Sequence, residues 1–138
     1  MPAKDIYHDA VRNALMKDGW IITHDPYTIS FGVKDVYVDL GAEQPIAAEK
    51  DGLKIAVEIK SFRSASDIRD FENALGQYVF YRSLLVRLEP ERKLYLAIPG
   101  TVYNTTFYEP ITRPALEDLQ VPLLVFNAEK EVITKWIN

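Results

Sequence analysis

The chain has 138 residues, 48% hydrophobic and 26% charged, with a formal net charge of −4 and no cysteine. That length suits a single domain, residues 1–138, with a sizeable core, and the absence of cysteine excludes disulfides, thiolate metal sites and a cysteine nucleophile. The acidic balance argues against holding DNA by nonspecific phosphate contacts, although local patches decide contact and metal-binding carboxylates themselves add acid. No apolar stretch approaches the ~18 residues of a membrane span, and Met1 to Asp5 lack signal-peptide character, so a cytoplasmic protein without membrane contact is expected.

From Asp5 to Lys17, Ile6, Ala10, Val11, Ala14 and Leu15 fall at helical spacing, and Gly19 stops the run. Trp20 to Thr23 reads as a strand ended by His24-Asp25-Pro26. Tyr27 to Lys34 is turn-rich with a short strand, and Val36 to Leu40 starts another. Asp51-Gly52 sits between β-prone runs and predicts a hairpin turn between Ile46–Glu49 and Leu53–Ile59. Ser64 to Asp67 offers N-caps for a long helix reaching Leu88, with Ile68, Phe71, Leu75, Tyr78 and Leu85 along one stripe. Pro90 ends it. Lys93 to Ile98 is a buried strand, Thr112 to Leu119 a helix with Pro114 in its first turn, and Val121–Phe126 and Val132–Ile137 two further strands. The order predicts an α/β fold: a central mixed β-sheet with a hairpin, flanked by an N-terminal helix and a long second helix.

Ala56-Val57-Glu58-Ile59-Lys60-Ser61-Phe62-Arg63 carries the chemistry. Glu58 and Lys60 project from one face of an apolar strand, and burying either charge unpaired costs several kcal/mol. Phosphodiester hydrolysis needs charge neutralised on phosphoryl oxygens, a water deprotonated and an alkoxide stabilised, which Mg²⁺ held by carboxylates supplies. Glu58 suits a metal ligand, Lys60 the group that holds or activates water, and the Ile59 carbonyl a further ligand. A turn at Asp51-Gly52 sets Glu43 opposite Lys60 on that face, while Asp39 shares the parity but lies further out unless the chain bends at Gly41. Either Asp39 or Glu43 is therefore the second acid. Gln77 and Tyr81 lie one helical turn apart and, with Ala74 and Leu84, make a second stripe able to face the sheet beside Glu58. His8 and Asp5 could approach the same pocket, with His8 expected in solvent. Arg63, Arg69, Arg82, Arg87, Arg92 and Lys93 offer a DNA-facing patch, and Tyr103, Phe107 and Tyr108 either a partner surface or core. On its own, Glu-x-Lys reads more simply as a cross-strand ion pair, and Gln77 and Tyr81 as a surface amide and a core aromatic.

Asp39, Glu58-Ile59-Lys60 and Gln77-Tyr78-Val79-Phe80-Tyr81 resemble the Asp, Glu-x-Lys and Gln-xxx-Tyr elements of the PD-(D/E)xK nuclease superfamily, the last that of its RecB-like branch. The resemblance implies a restriction-endonuclease-like fold, Mg²⁺ or Mn²⁺ as cofactor, Asp39, Glu43 or Glu58 as metal ligands, and Lys60, Glu58, Gln77 and Tyr81 in catalysis. No proline precedes Asp39, a departure from that pattern. More closely, Met1 to His8, Tyr37 to Glu43, Ala56 to Phe62, Glu72 to Tyr78 and Val132 to Ile137 resemble the XisH family across nearly the whole chain. That resemblance implies control of excision of the fdxN element, a DNA segment removed by site-specific recombination in cyanobacteria. The implied partners are DNA, a site-specific recombinase and a companion controlling factor, XisI. A homodimer is expected by analogy, since small nucleases that cut duplexes often need two sites. Three functions follow: a metal-dependent endonuclease, a noncatalytic factor that directs the recombinase through protein contacts, and a reader of DNA structure.

Overall fold

A computed structural model describes residues 4–46 and 49–138. Helix α1 (His8–Lys17) turns Val11, Ala14 and Leu15 onto one buried face, and Gly19, at φ +89°, reverses the chain behind it. Strand β1 (Ile21–His24) follows, then a ribbon of β2 (Tyr27–Phe31) and β3 (Lys34–Val38). Strands β4 (Leu40–Ile46) and β5 (Glu49–Ile59) lead to the long helix α2 (Asp67–Leu88) and β6 (Arg92–Pro99). A short helix α3 (Gly100–Tyr103), a 3₁₀ turn at Thr106–Tyr108, α4 (Arg113–Leu119), β7 (Leu123–Asn127) and β8 (Val132–Ile137) complete the chain.

These elements make a mixed α/β fold around a six-stranded sheet of order β1-β4-β5-β6-β7-β8, with β2 and β3 paired as a separate ribbon. Strands β5, β6 and β7 are parallel neighbours and the outer pairs antiparallel. Parallel pairing needs a crossover, and α2 supplies the one between β5 and β6. Ser66 caps α2, its hydroxyl accepting the Arg69 N–H at 3.2 Å, and Asp67 and Asp70 place negative charge in the first turn.

Each face of the sheet is covered. Phe71, Ala74, Tyr78 and Leu85 of α2 pack on Ala56, Leu94, Leu96, Ile98 and Val125, with the Tyr78 hydroxyl donating to the Leu94 carbonyl at 3.0 Å. Val11 and Leu15 of α1 pack on Leu40, Ala42, Ile55, Val57 and Ile59 of the opposite face. The alternation along β5 therefore sends Ile55, Val57 and Ile59 toward α1, and Ala56 and Glu58 toward α2.

The hairpin register differs from the sequence expectation. Asp51 and Gly52 lie inside β5 rather than at its turn, and the observed pairs are Leu40 with Val57, Ala42 with Ile55 and Glu43 with Lys54. The last pair of the ladder is Ile46 with Glu49, and residues 47–48 lie outside the described residues. Gly52 does adopt the left-handed conformation that an Asp-Gly signal anticipates, at φ +68°, but at an irregularity in the ladder. A Cβ on it would stand 2.6 Å from the Gln44 carbonyl oxygen, so close backbone approach requires glycine there. The stretch from Tyr27 to Val38 forms two short strands, as expected, paired as the ribbon, and the chain bends at Asp39 so that Leu40 opens β4 of the main sheet.

Candidate functional site

The bend at Asp39 and the register of β4 on β5 decide which acid meets Glu58. Leu40 pairs with Val57, so one residue earlier on β4's path Asp39 stands beside Glu58. Its Oδ2 accepts the Ile59 N–H at 2.7 Å, which fixes the carboxylate at the end of β5. Glu43 is correspondingly displaced: opposite Lys54 and not Lys60, it lies four residues along the strand, roughly 13 Å from the Asp39 position at ~3.3 Å per residue. It does not line the cavity that holds the other residues, so the register corrects its selection as a partner of Glu58.

That cavity, about 230 Å³, is lined by Lys4, Asp5, Tyr37, Asp39, Glu58, Ile59, Lys60, Gln77 and Tyr81. Five of the six residues expected at the site, Asp39, Glu58, Lys60, Gln77 and Tyr81, are therefore brought together from the end of β5, from α2 and from the bend at Asp39. Glu58 is 5% exposed, and its Oε2 lies 3.5 Å from Lys60 Nζ. Its Oε1 has no hydrogen-bond partner among the described residues. Such an atom is expensive to leave bare. Burial, and then the Asp39 charge, push the Glu58 carboxyl up from 4.5 to about 8, against the opposing pull of Lys60. Burial likewise raises Asp39, although the Ile59 N–H opposes it. Burial also raises the Tyr81 hydroxyl, and the charges of Glu58 and Asp39 add to the effect, so Tyr81 feels both acids. Gln77 is on the exposed side of α2, one turn earlier.

Local packing holds Lys60 where it is. Its N–H donates to the Ala97 carbonyl at 3.0 Å, extending the pairing of β5 with β6 by one residue. Asp5 then ties the next residue down: Oδ2 accepts the Ser61 N–H at 3.1 Å while Oδ1 accepts the Tyr7 N–H at 2.9 Å. Phe62 turns the chain away at φ +57°, a left-handed conformation costing ~1–2 kcal/mol for such a side chain. Its ring packs edge-on to the buried Phe107, 5.4 Å between centroids, and that burial offsets the strain.

Two acids and a buried bare oxygen suit a divalent cation, since a positive charge between Asp39 and Glu58 would reverse the penalty that raises both. No group of three His, Cys, Asp or Glu able to hold a metal occurs among the described residues, so further ligands would be backbone oxygen or water, as Mg²⁺ commonly accepts. Lys4 and Tyr37 were not singled out from sequence. Tyr37 had a readable signal, standing two residues before Asp39 on a strand-like run.

Other expectations fare differently. His8 is 3% exposed rather than solvated, with Nε2 2.7 Å from Asp25 Oδ1, and Arg12 joins the same carboxylate. Of the six basic residues offered as a patch, Arg92 is 6% exposed and donates to the Ile55 carbonyl and Glu89, and Arg82 donates to the Leu119 carbonyl, while Arg63, Arg69, Arg87 and Lys93 are exposed. Phe107 is core, whereas Tyr108 is exposed. No described helix is long and apolar enough to cross a membrane.

Comparison with known proteins is consistent across the chain. The model of the XisH protein family matches residues 1–134. An XisH family protein from Nostoc punctiforme PCC 73102 has a similar crystal structure, with a TM-score of 0.88 and 45% identity over 97% of this chain and 100% of that one. An fdxN element excision controlling factor protein from Anabaena variabilis is similar at a TM-score of 0.87 and 45% identity, over 98% of this chain and all of that one. No curated protein matches.

Proposed function

The chain belongs to the XisH family, and on that premise we propose that it is a controlling factor for excision of a DNA element by site-specific recombination, working through a restriction-endonuclease-like fold of the PD-(D/E)xK superfamily that hydrolyses phosphodiesters. The observation that carries this reading is the buried Glu58 carboxylate, set beside Asp39 and 3.5 Å from Lys60 in one cavity with Gln77 and Tyr81. Asp39 and Glu58 would hold Mg²⁺ or Mn²⁺, with the Ile59 carbonyl as a further ligand. Bound there, the ion supplies charge neutralisation at the phosphoryl oxygens and a more acidic water.

The chain's own groups do the rest. The Lys60 ammonium orients the attacking water and offsets negative charge that builds during attack. Its position between the Ala97 carbonyl and the Asp5-anchored Ser61 keeps that donor aimed while substrate exchanges. Gln77 orients Lys60 or a phosphate oxygen through its amide. Tyr81, half-buried and close to both acids, keeps its proton and supports Gln77 from one turn away.

A second reading has its own support. The net charge of −4, the pairing of Arg92 and Arg82 within the fold, and the lack of a three-ligand group among the described residues all suit a noncatalytic factor. It would direct a recombinase together with the companion factor XisI through protein contacts.

Incubating the protein, alone and with the companion factor, with plasmid and linear DNA in Mg²⁺ or Mn²⁺ separates the two. The nuclease reading expects cleavage that falls at least ~100-fold in Glu58→Ala and Lys60→Ala. Cleavage that survives both substitutions sinks the site assignment, and no cleavage under any of these conditions favours the directing role.

A further inference from the structure

A second and larger cavity, about 530 Å³, opens beside Tyr7, Gly100, Thr101, Asn104, Phe126 and Asn127. It lies at the carboxyl ends of β6 and β7, where Pro99 pairs with Phe126, just as the Glu58–Lys60 site lies at the carboxyl end of β5. Adjacent strands are ~4.8 Å apart, so the ends of β5 and β7 are about 10 Å from one another. The segment from Lys4 to Tyr7 is common to both: Lys4 and Asp5 line the candidate active site and Tyr7 the second cavity. Two cavities at one end of a parallel sheet, divided by one short segment, are placed to hold neighbouring parts of a single ligand.

The lining selects the chemistry of that ligand. Thr101, Asn104, Asn127 and Thr134 bring hydroxyls and amides; among the described residues no lysine or arginine takes part, and the one charged residue is the acid Glu129. A phosphate would meet no cation and one like charge there, so the cavity rejects the backbone of a nucleic acid. A neutral planar group with hydrogen-bonding edges fits instead. Asn127 Oδ1 is occupied by the Lys130 N–H at 2.8 Å, which leaves its amide nitrogen to donate. The Tyr7 ring, held edge-on to Phe126 at 5.8 Å, supplies an aromatic surface of the kind on which bases stack.

We infer that this cavity is a binding site for one unpaired nucleobase of the DNA whose phosphodiester lies in the Glu58–Lys60 site. The inference rests on the nuclease-like reading of that site and gives it a substrate class: DNA that is single-stranded or locally opened, since a base stacked in a duplex cannot enter.

Binding without turnover tests it. Anisotropy of labelled single-stranded oligonucleotides is measured with the full protein in Ca²⁺, comparing an intact strand with strands carrying one abasic position moved stepwise along it. The expected result is one position at which base removal weakens binding at least ~5-fold, with that sensitivity lost in Tyr7→Leu and in the surface variant Asn104→Ala. The inference is overturned if no position is sensitive, if no single strand binds, or if both variants keep the full sensitivity. Cleavage that depends on Glu58 with no base-sensitive position leaves the nuclease reading intact and removes this one. Base-sensitive binding without cleavage under any metal does the reverse.

Discussion

Glu58→Gln keeps the size and shape of the side chain and removes its charge, so it isolates the cost of the buried carboxylate. In the folded protein that carboxyl is pushed from 4.5 to about 8, by burial first and Asp39 second. Between those values the folded chain keeps a proton that the unfolded chain has lost, so the metal-free protein loses stability as pH rises from about 4.5 to about 8. At about 1.4 kcal/mol per pH unit the ceiling is near 5 kcal/mol. The partnering Lys60 side chain is 25% exposed, so solvent screens the site and about 2 kcal/mol is the expected size. The Glu58→Gln variant carries none of this slope (the Asp39 carboxyl, raised by burial, contributes a slope of the same sign in both proteins). Urea unfolding in chelator at pH 5, 6.5 and 8 should therefore show the two proteins nearly equal at pH 5 and Glu58→Gln ahead by about 2 kcal/mol at pH 8. Mg²⁺ at 100 times its Kd should then raise wild type by about 2.7 kcal/mol and leave Glu58→Gln nearly unmoved. Parallel stability curves at all three pH values, or a variant weaker at pH 8, refute the reasoning.

Three further outcomes follow from the geometry. Glu43→Ala should leave metal affinity and any cleavage within about twofold of wild type, because the register carries Glu43 away from Glu58; calorimetric titration of Mn²⁺ checks it. Tyr78→Phe should cost about 1–2 kcal/mol in urea unfolding, since the buried hydroxyl donates to the Leu94 carbonyl, while Mn²⁺ affinity stays unchanged. Arg92→Ala should cost about 3 kcal/mol or more, because it leaves Glu89 and the Ile55 carbonyl without their buried donor and strips the Tyr27 ring of the guanidinium 4.7 Å from its centroid; thermal unfolding reads this.

Much of this arrangement was legible because local signals and tertiary packing agree. The apolar spacing in α1 and α2, the Ser66 cap and the Pro90 stop fall within a few residues of the observed ends. The Glu58–Lys60 parity holds because alternation along a strand depends on no partner. Register is another matter. Asp51-Gly52 carries a strong turn signal, and Gly52 does take a left-handed φ, but a ladder irregularity and a close Gln44 carbonyl use that freedom inside the strand. Moving the turn moved every pairing, and Asp39 rather than Glu43 came to face Glu58. Long-range pairs were equally hidden: nothing near Arg92 in the chain foretells its bond to the Ile55 carbonyl, nor near His8 its contact with Asp25. The short helix α3 and the 3₁₀ turn at Thr106–Tyr108 lack the length that makes periodicity visible.

The bend at Asp39 and the register of β5 bring two carboxylates together, and their proposed role is to hold one divalent cation beside Lys60. Anomalous diffraction from crystals soaked in Mn²⁺ tests that most directly. The expected result is one strong peak within ~2.2 Å of a carboxylate oxygen of both Asp39 and Glu58, absent in Glu58→Gln. A peak elsewhere on the chain, or a soaked crystal in which Glu58 and Lys60 remain paired with no peak between the two acids, contradicts it.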